Sequence, residues 1–277
     1  MMPLRGSKGG VSVTRFAMAL DMAHCTGCQT CVVACQQHNA LRPGVAWTWV
    51  DTLEWGRWPD GDRAALPHGC LHCDDPSCVN VCPTGASGKR DDGIVVVAYD
   101  RCIGCGVCLT ACPYGARTIN ARDGWHFGAA TPAPYENAPT ERLGVAEKCT
   151  LCADRVDAGL EPACVAACPV GVRAFGDLDD PTAALRAFIE GAGATRIEGT
   201  GMLYAVGAHA LDVEETLRTQ FHRPSTEAAA AVDRTGEGNP AVVAGAAVAA
   251  AALAAGAGLT AKKNRDRRAE RASSPEA

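Results

Sequence analysis

Large aromatic side chains are scarce in this sequence: 5 Phe, 5 Trp and 4 Tyr among 277 residues. The chain is long enough for one or two domains, so something other than aromatic rings must fill the core. An excess of basic charge is also missing. The net charge is -5. Residues 261–277 hold six Lys/Arg against three acids, which leaves 20 against 28 in the rest. An acidic body does not suit the phosphates of nucleic acid, so no nucleic-acid partner is expected. Residues 1–15 are polar and Gly-rich, read as a flexible N-terminus, with no apolar signal core and no twin arginine. No Gly-rich phosphate loop follows a strand, and there is no nucleophile elbow or flavin or nicotinamide pattern. Catalytic residues are therefore not expected.

Cysteine is plentiful. All 16 fall into four groups of four, with none left over. The first group is Cys25, Cys28, Cys31 and Cys35, spaced C-x2-C-x2-C-x3-C. The second, Cys70, Cys73, Cys78 and Cys82, is C-x2-C-x4-C-x3-C-P. The third, Cys102, Cys105, Cys108 and Cys112, repeats the first spacing and adds Pro113. The fourth, Cys149, Cys152, Cys164 and Cys168, is C-x2-C-x11-C-x3-C-P.

A cubane iron–sulfur cluster needs four thiolates aimed at one small body. Three closely spaced cysteines on a loop can wrap three corners. Small residues such as Gly27, Gly104 and Gly106 let backbone N–H groups approach the sulfurs. The fourth cysteine starts a turn that faces away, and it ligates the other cluster of a pair, as in bacterial ferredoxins. Zinc sites use C-x2-C pairs set well apart, not four ferredoxin-spaced quartets. Disulfide scaffolds are denser in cysteine, from about 8% of the chain upward. Four groups of four allow four [4Fe-4S] clusters. His24 and His72 adjoin cysteines and are weighed as tuning groups against plain solvent-facing or backbone-bonded histidines.

The groups sit in a repeating unit of strand, cysteine loop, short helix and strand. "FAMALDMAHC" and "GIVVVAYDRC" read as strands entering the first and third groups, the latter buried. "RTIN" and "RAFGDL" follow the third and fourth. Two loop insertions, 36–69 and 113–148, interrupt the units. The first carries Trp47, Trp49, Trp55 and Trp58, read as a docking face or as a lid over the clusters. Asp180 and Pro181 suit the N-cap and first position of a helix that stops at Gly191. "GMLYAVG" reads as a strand. The cysteine-bearing domain is set at 16–215 and a polar linker at 216–240. Residues 241–260, "AVVAGAAVAAAALAAGAGLT", carry no charge and have the length that crosses a bilayer of about 30 Å. Being mostly Ala and Gly, the run also reads as a low-complexity soluble tail. The basic residues of 261–277 favour a transmembrane helix with a cytoplasmic C-terminus.

"HCTGCQTCVVAC", "HCDDPSCVNVCPTGA", "RCIGCGVCLTACPYGAR" and "KCTLCADRVDAGLEPACVAACPVGVRAFGDL" together resemble the four-cluster iron–sulfur B subunits of the dimethyl sulfoxide reductase family. Polysulfide, tetrathionate, nitrite (NrfC-type) and formate dehydrogenase systems have such subunits. The resemblance covers about residues 15–180. It implies an α+β fold of two interlocked ferredoxin-like modules. One cluster then takes Cys25, Cys28, Cys31 and Cys168, and its partner takes Cys149, Cys152, Cys164 and Cys35. The other pair takes Cys70, Cys73, Cys78 with Cys112, and Cys102, Cys105, Cys108 with Cys82. The first group departs from the pattern, ending "CQQHN" rather than "CP", which frees the turn after Cys35 to continue as helix.

The resemblance also implies an electron-transfer role between a molybdopterin-containing catalytic subunit and an integral, quinone-reactive membrane subunit in anaerobic respiration. With the basic tail inside, the cluster domain lies on the extracytoplasmic side, exported on a partner's signal. The equivalent subunit of a membrane-bound nickel–iron hydrogenase, a free polyferredoxin and a zinc-holding interaction protein stay open as alternatives.

Overall fold

The computed structural model describes residues 14–57, 59–119, 142–180, 182–209 and 211–220. All of them belong to the compact unit Met1–Arg223. The expected transmembrane run 241–260, the linker beyond 220, the basic tail, Trp58 and most of the 113–148 insertion lie outside the described residues. Among the described residues, no helix is long and apolar enough to cross a membrane.

Strands and helices are mixed, as the α+β reading requires. Strand β1 (Phe16–Asp21) runs directly into the first cysteine group. It is central in a four-stranded sheet with β8 (Arg173–Asp177), β9 (Thr195–Arg196) and β10 (Met202–Ala205), in the order β8-β1-β10-β9. β1 pairs parallel to β10 and antiparallel to β8. Side chains alternate across a strand, and β1 uses both faces. Ala17 and Ala19 are small enough for helix α6 (Ala184–Ala192) to pack closely through Leu185. Met18 and Leu20 point the other way, into a core that includes Cys31 and Cys164. The sheet thus has a helix on one side and cysteines on the other. Aromatic rings are few in that core because thiols occupy much of it.

The first insertion is not a loop. It folds as a hairpin of β2 (Thr48–Trp55) and β3 (Asp62–Gly69), with Val50, Leu53, Ala64 and Leu66 buried against the same core. A second hairpin, β4 (Ser87–Lys89) with β5 (Val95–Val97), lies between the second and third groups. β5 is shorter than the sequence run suggests and buried only at Val95, because β4 offers it three pairing positions on one edge. β6 (Thr118–Ile119) pairs with β7 (Ala146–Glu147) ahead of the fourth group.

Two boundaries differ from the expectation. Asp180 Oδ1 accepts hydrogen bonds from Thr182 N and Thr182 Oγ1, at 2.8 and 2.7 Å, so its side chain closes a turn rather than capping a helix. Helix α6 begins later, at Ala184, and runs through Gly191 to end at Gly193 (φ +68°), the residue that takes the left-handed C-cap. The folded body also passes residue 215. Helix α7 (Val213–Gln220) buries Leu217 in the main core and lays Arg218 over the Tyr114 ring at 5.2 Å.

Candidate iron–sulfur centres

Each cysteine group is built on the same local device. The third cysteine is the second residue of a short helix in all four: Cys31 in α1 (Thr30–His38), Cys78 in α2 (Ser77–Asn80), Cys108 in α3 (Val107–Thr110) and Cys164 in α5 (Ala163–Ala166), which follows α4 (Ala153–Asp157). In the second, third and fourth groups a proline follows the fourth cysteine, and the helix stops after four residues. Proline has no N–H and pushes the residue before it out of helical geometry. The first group has Gln36 instead, and α1 continues to His38. In the third group Gly104 has φ +65°, and a Cβ there would fall 2.2 Å from the Gly144 carbonyl, so only glycine lets this loop close.

Three of the fourth cysteines, Cys35, Cys112 and Cys168, reach away from their own groups. Burial and the thiols of Cys149, Cys164 and Cys152 push the Cys35 thiol far up, which places Cys35 among group four. Burial, with Cys31 and Cys168 nearby, raises Cys25, so Cys168 stands with group one. Cys73 is pushed up to about 12 by burial and by Cys70, Cys112 and Cys78, which brings Cys112 to group two. Like charges crowded together resist ionising, and these shifts report the crowding. Cys82 is different. Its contacts are with its own turn, where Ser87 N donates to Sγ at 3.4 Å and Thr84 Oγ1 lies at 3.7 Å. Burial opposes its ionisation, but these hydrogen bonds win and bring it down to about 7. No such shift links Cys82 to group three.

Thiols of different sets also lie close enough to influence one another. Cys31 is beside Cys164, Cys70 beside Cys149, and Cys78 beside Cys108. Cys28 and Cys105 are the exposed cysteines.

The donor chemistry fits iron–sulfur clusters. One cavity is lined by five cysteines, Cys35, Cys149, Cys152 and Cys164 with Cys70 of the second group, and by Met18, Leu20 and Trp47. Among the described residues no three His, Cys, Asp or Glu side chains come together tightly enough for a single metal ion. Buried cations stand beside the thiols. Arg117 Nη2 donates to Cys78 Sγ at 3.0 Å, and Arg173 Nη2 donates to Cys31 Sγ at 3.2 Å. The Lys148 ammonium is 1% exposed and is held by the carbonyls of Val95 and Cys149. His72 is buried, unlike the exposed His24. Its Nδ1 accepts from Val95 N at 3.0 Å, which leaves the proton of the neutral ring on Nε2. The side chain also hydrogen-bonds the Cys70 thiol beside it. Burial opposes ionisation of Cys70, yet His72 and Lys148 outweigh it and bring the thiol down to about 5.

Sequence reasoning named neither arginine nor the lysine. The signal was present: Arg117 and Arg173 each stand five residues past a fourth cysteine, in C-P-x-G-x-R. The tryptophans divide. Trp47 is buried against Cys35 and Cys149, as a lid would be, while Trp49 and Trp55 are half-buried, Trp49 stacked on His68 and Trp55 edge-on to His209.

Comparison with known proteins agrees with this chemistry. A family model described as a 4Fe-4S dicluster domain matches residues 62–128 and 125–178, and one described as a 4Fe-4S binding domain matches 22–39. The B subunit of the sulfite dehydrogenase of Allochromatium vinosum is 39% identical over 191 residues, 61% of this chain and 71% of that protein. The arsenate respiratory reductase iron–sulfur subunit of Shewanella sp. (strain ANA-3) is 38% identical over 195 residues, 60% and 83% of the two chains. The B subunit of the anaerobic dimethyl sulfoxide reductase of Escherichia coli is 37% identical over 175 residues, 60% and 76%. With its cysteine frame and these relatives, the chain belongs to the iron–sulfur B subunits of the dimethyl sulfoxide reductase family, electron-transfer rather than catalytic subunits of their complexes.

Proposed function

We propose that the chain holds four [4Fe-4S] clusters in two interlocked ferredoxin-like modules and relays electrons from one end of that series to the other. The ligand sets are Cys25, Cys28, Cys31 and Cys168; Cys149, Cys152, Cys164 and Cys35; Cys70, Cys73, Cys78 and Cys112; and Cys102, Cys105, Cys108 and Cys82. The observation that carries this reading is the crossing of the fourth cysteines, above all Cys35 set among Cys149, Cys152 and Cys164. The nearness of Cys31 to Cys164, Cys149 to Cys70, and Cys78 to Cys108 supports a single order for the four sets. The exposed thiols, Cys28 and Cys105, belong to the two end sets, which supports two exits. When bound, such clusters accept and release single electrons over a wide range of potentials. The chain keeps the inner thiols out of water and leaves the outer ones where a partner can approach.

The partners we assign are a molybdopterin-containing catalytic subunit at one exit and a quinone-linked membrane subunit at the other. The uncharged run 241–260 and the basic cluster after it support an anchor whose C-terminus is cytoplasmic and whose cluster domain is extracytoplasmic. Anaerobic affinity purification from detergent-solubilised membranes, followed by mass spectrometry, tests the assignment. A large molybdopterin subunit supports it. A nickel–iron large subunit, or a chain that is soluble and alone, counts against it. Protease access to the body in intact cells tests the topology, and full protection would refute it.

A further inference from the structure

Arg173, Lys148 and Arg117 are 7%, 1% and 6% exposed, and none has a carboxylate partner among the described residues. A buried charge without a counter-charge is expensive. The groups that face them are sulfurs, carbonyls and, for Arg117, the Ser87 hydroxyl, all uncharged or thiol groups rather than carboxylates. Each cation, moreover, bonds a cysteine of one ligand set and lies near a cysteine of another. Arg173 Nη2 donates to Cys31 Sγ at 3.2 Å, and Arg173 also stands beside Cys164. Lys148 bonds the Cys149 carbonyl at 2.7 Å and stands beside Cys70. Arg117 Nη2 donates to Cys78 Sγ at 3.0 Å and also bonds Cys108. These are the three places where successive sets meet.

We infer that Arg173, Lys148 and Arg117 are potential-setting residues, one at each junction of the relay, whose fixed positive charges favour the reduced state of the two clusters they lie between. The inference rests on the four-set reading above. An added electron makes an anionic cluster more negative, and a cation a few ångströms away in a poorly screened interior stabilises that form. It also lowers the repulsion between two neighbouring reduced clusters, so an electron can enter a set while the next is still occupied. Arg117 and Arg173 repeat the same device in the two modules, each from the fifth position after a fourth cysteine. Lys148 joins the modules. Its fixation by two carbonyls rather than an acid keeps its charge uncancelled.

The test uses the full chain, purified anaerobically with its clusters, in the variants Arg117→Gln, Arg173→Gln and Lys148→Gln. Iron and sulfide content is measured first, then the midpoint potential of each cluster by paramagnetic resonance at poised potentials. The inference predicts that the ratio of reduced to oxidised cluster, at fixed potential, falls at least tenfold at two of four clusters in each variant, 59 mV for one electron. Arg117→Gln and Arg173→Gln must affect different pairs, and Lys148→Gln one member of each. A merely structural role would not give that pattern. Unchanged potentials, or equal shifts at all clusters, overturn the inference while a wild-type chain with four clusters leaves the underlying reading intact. A wild-type chain with fewer clusters overturns both. Should a glutamine variant shed iron, Arg117→Lys and Arg173→Lys keep the charge. Potentials within threefold of wild type then support the inference, and a tenfold fall with the charge retained contradicts it.

Discussion

Arg117 Nη1 donates to the Ser87 hydroxyl at 2.8 Å, and both residues stand five positions after a fourth cysteine. The second and third groups therefore meet at equivalent points of their repeats, with the buried guanidinium pinned on one side by Ser87 and on the other by Cys78. Removing the hydroxyl strands a buried N–H donor. Ser87→Ala is expected to lower stability by about 1–3 kcal/mol, read as a shift in the denaturation midpoint of the cluster-bearing chain. An unchanged midpoint would show that Ser87 does not hold the arginine.

Trp47 is 4% exposed and closes the space around Cys35 and Cys149. Trp47→Ala is expected to cost about 3–5 kcal/mol and to admit water and oxygen to that set. The visible chromophore should then bleach in air several times faster than in wild type. Equal rates would mean that the ring packs there without shielding anything.

Helix α1 runs past Cys35 because Gln36 keeps its N–H. Gln36→Pro should break the helix at a cost of about 3 kcal/mol, and the Leu41 N–H bond to the Gln36 carbonyl would be strained with it. Iron content is the second readout, since Cys35 is the thiol that this turn delivers to group four. Full iron content with normal stability would contradict the role given to α1.

Arg90, at the end of the β4–β5 hairpin, forks between Asp92 and Asp157, with Nη2 at 2.7 Å from Asp92 Oδ2 and 2.5 Å from Asp157 Oδ1. The hydrogen bonds from Arg90 hold the Asp157 carboxyl below the usual carboxylate range. A depressed folded-state value means that the pair stabilises the fold above the unfolded value, about 3.9, and loses that contribution as pH falls through the folded value. Both partners are partly exposed, so the effect is small. Arg90→Gln should cost about 0.5–1 kcal/mol at neutral pH. The gap between variant and wild type should stay constant down to about pH 5 and close below about pH 4. A gap that widens on acidification has the wrong sign for this pair.

The cysteine frame, strands β1, β8 and β10 and the extension of α1 were legible because local spacing and proline placement decide them. The β2–β3 hairpin was not. The connection 56–61 is short, but strands mixing charged, polar and aromatic residues show no clear alternation, and tryptophan content alone does not fix a register. Arg117 and Arg173 were visible as letters in a repeat, but their meaning depends on chain segments brought together from distances of 39 and 142 residues. Lys148 reads as an ordinary surface residue before a cysteine, and only tertiary burial reveals it. The α6 start was misplaced because Asp180 serves a turn instead of a helix end.

The most direct test of the account is iron and acid-labile sulfide per chain in anaerobically purified protein, together with electron counting on full reduction. The account predicts about sixteen iron atoms, sixteen sulfides and four electrons, one cluster for each set of four thiolates. Half that content, or zinc in place of iron, would contradict the four-cluster relay.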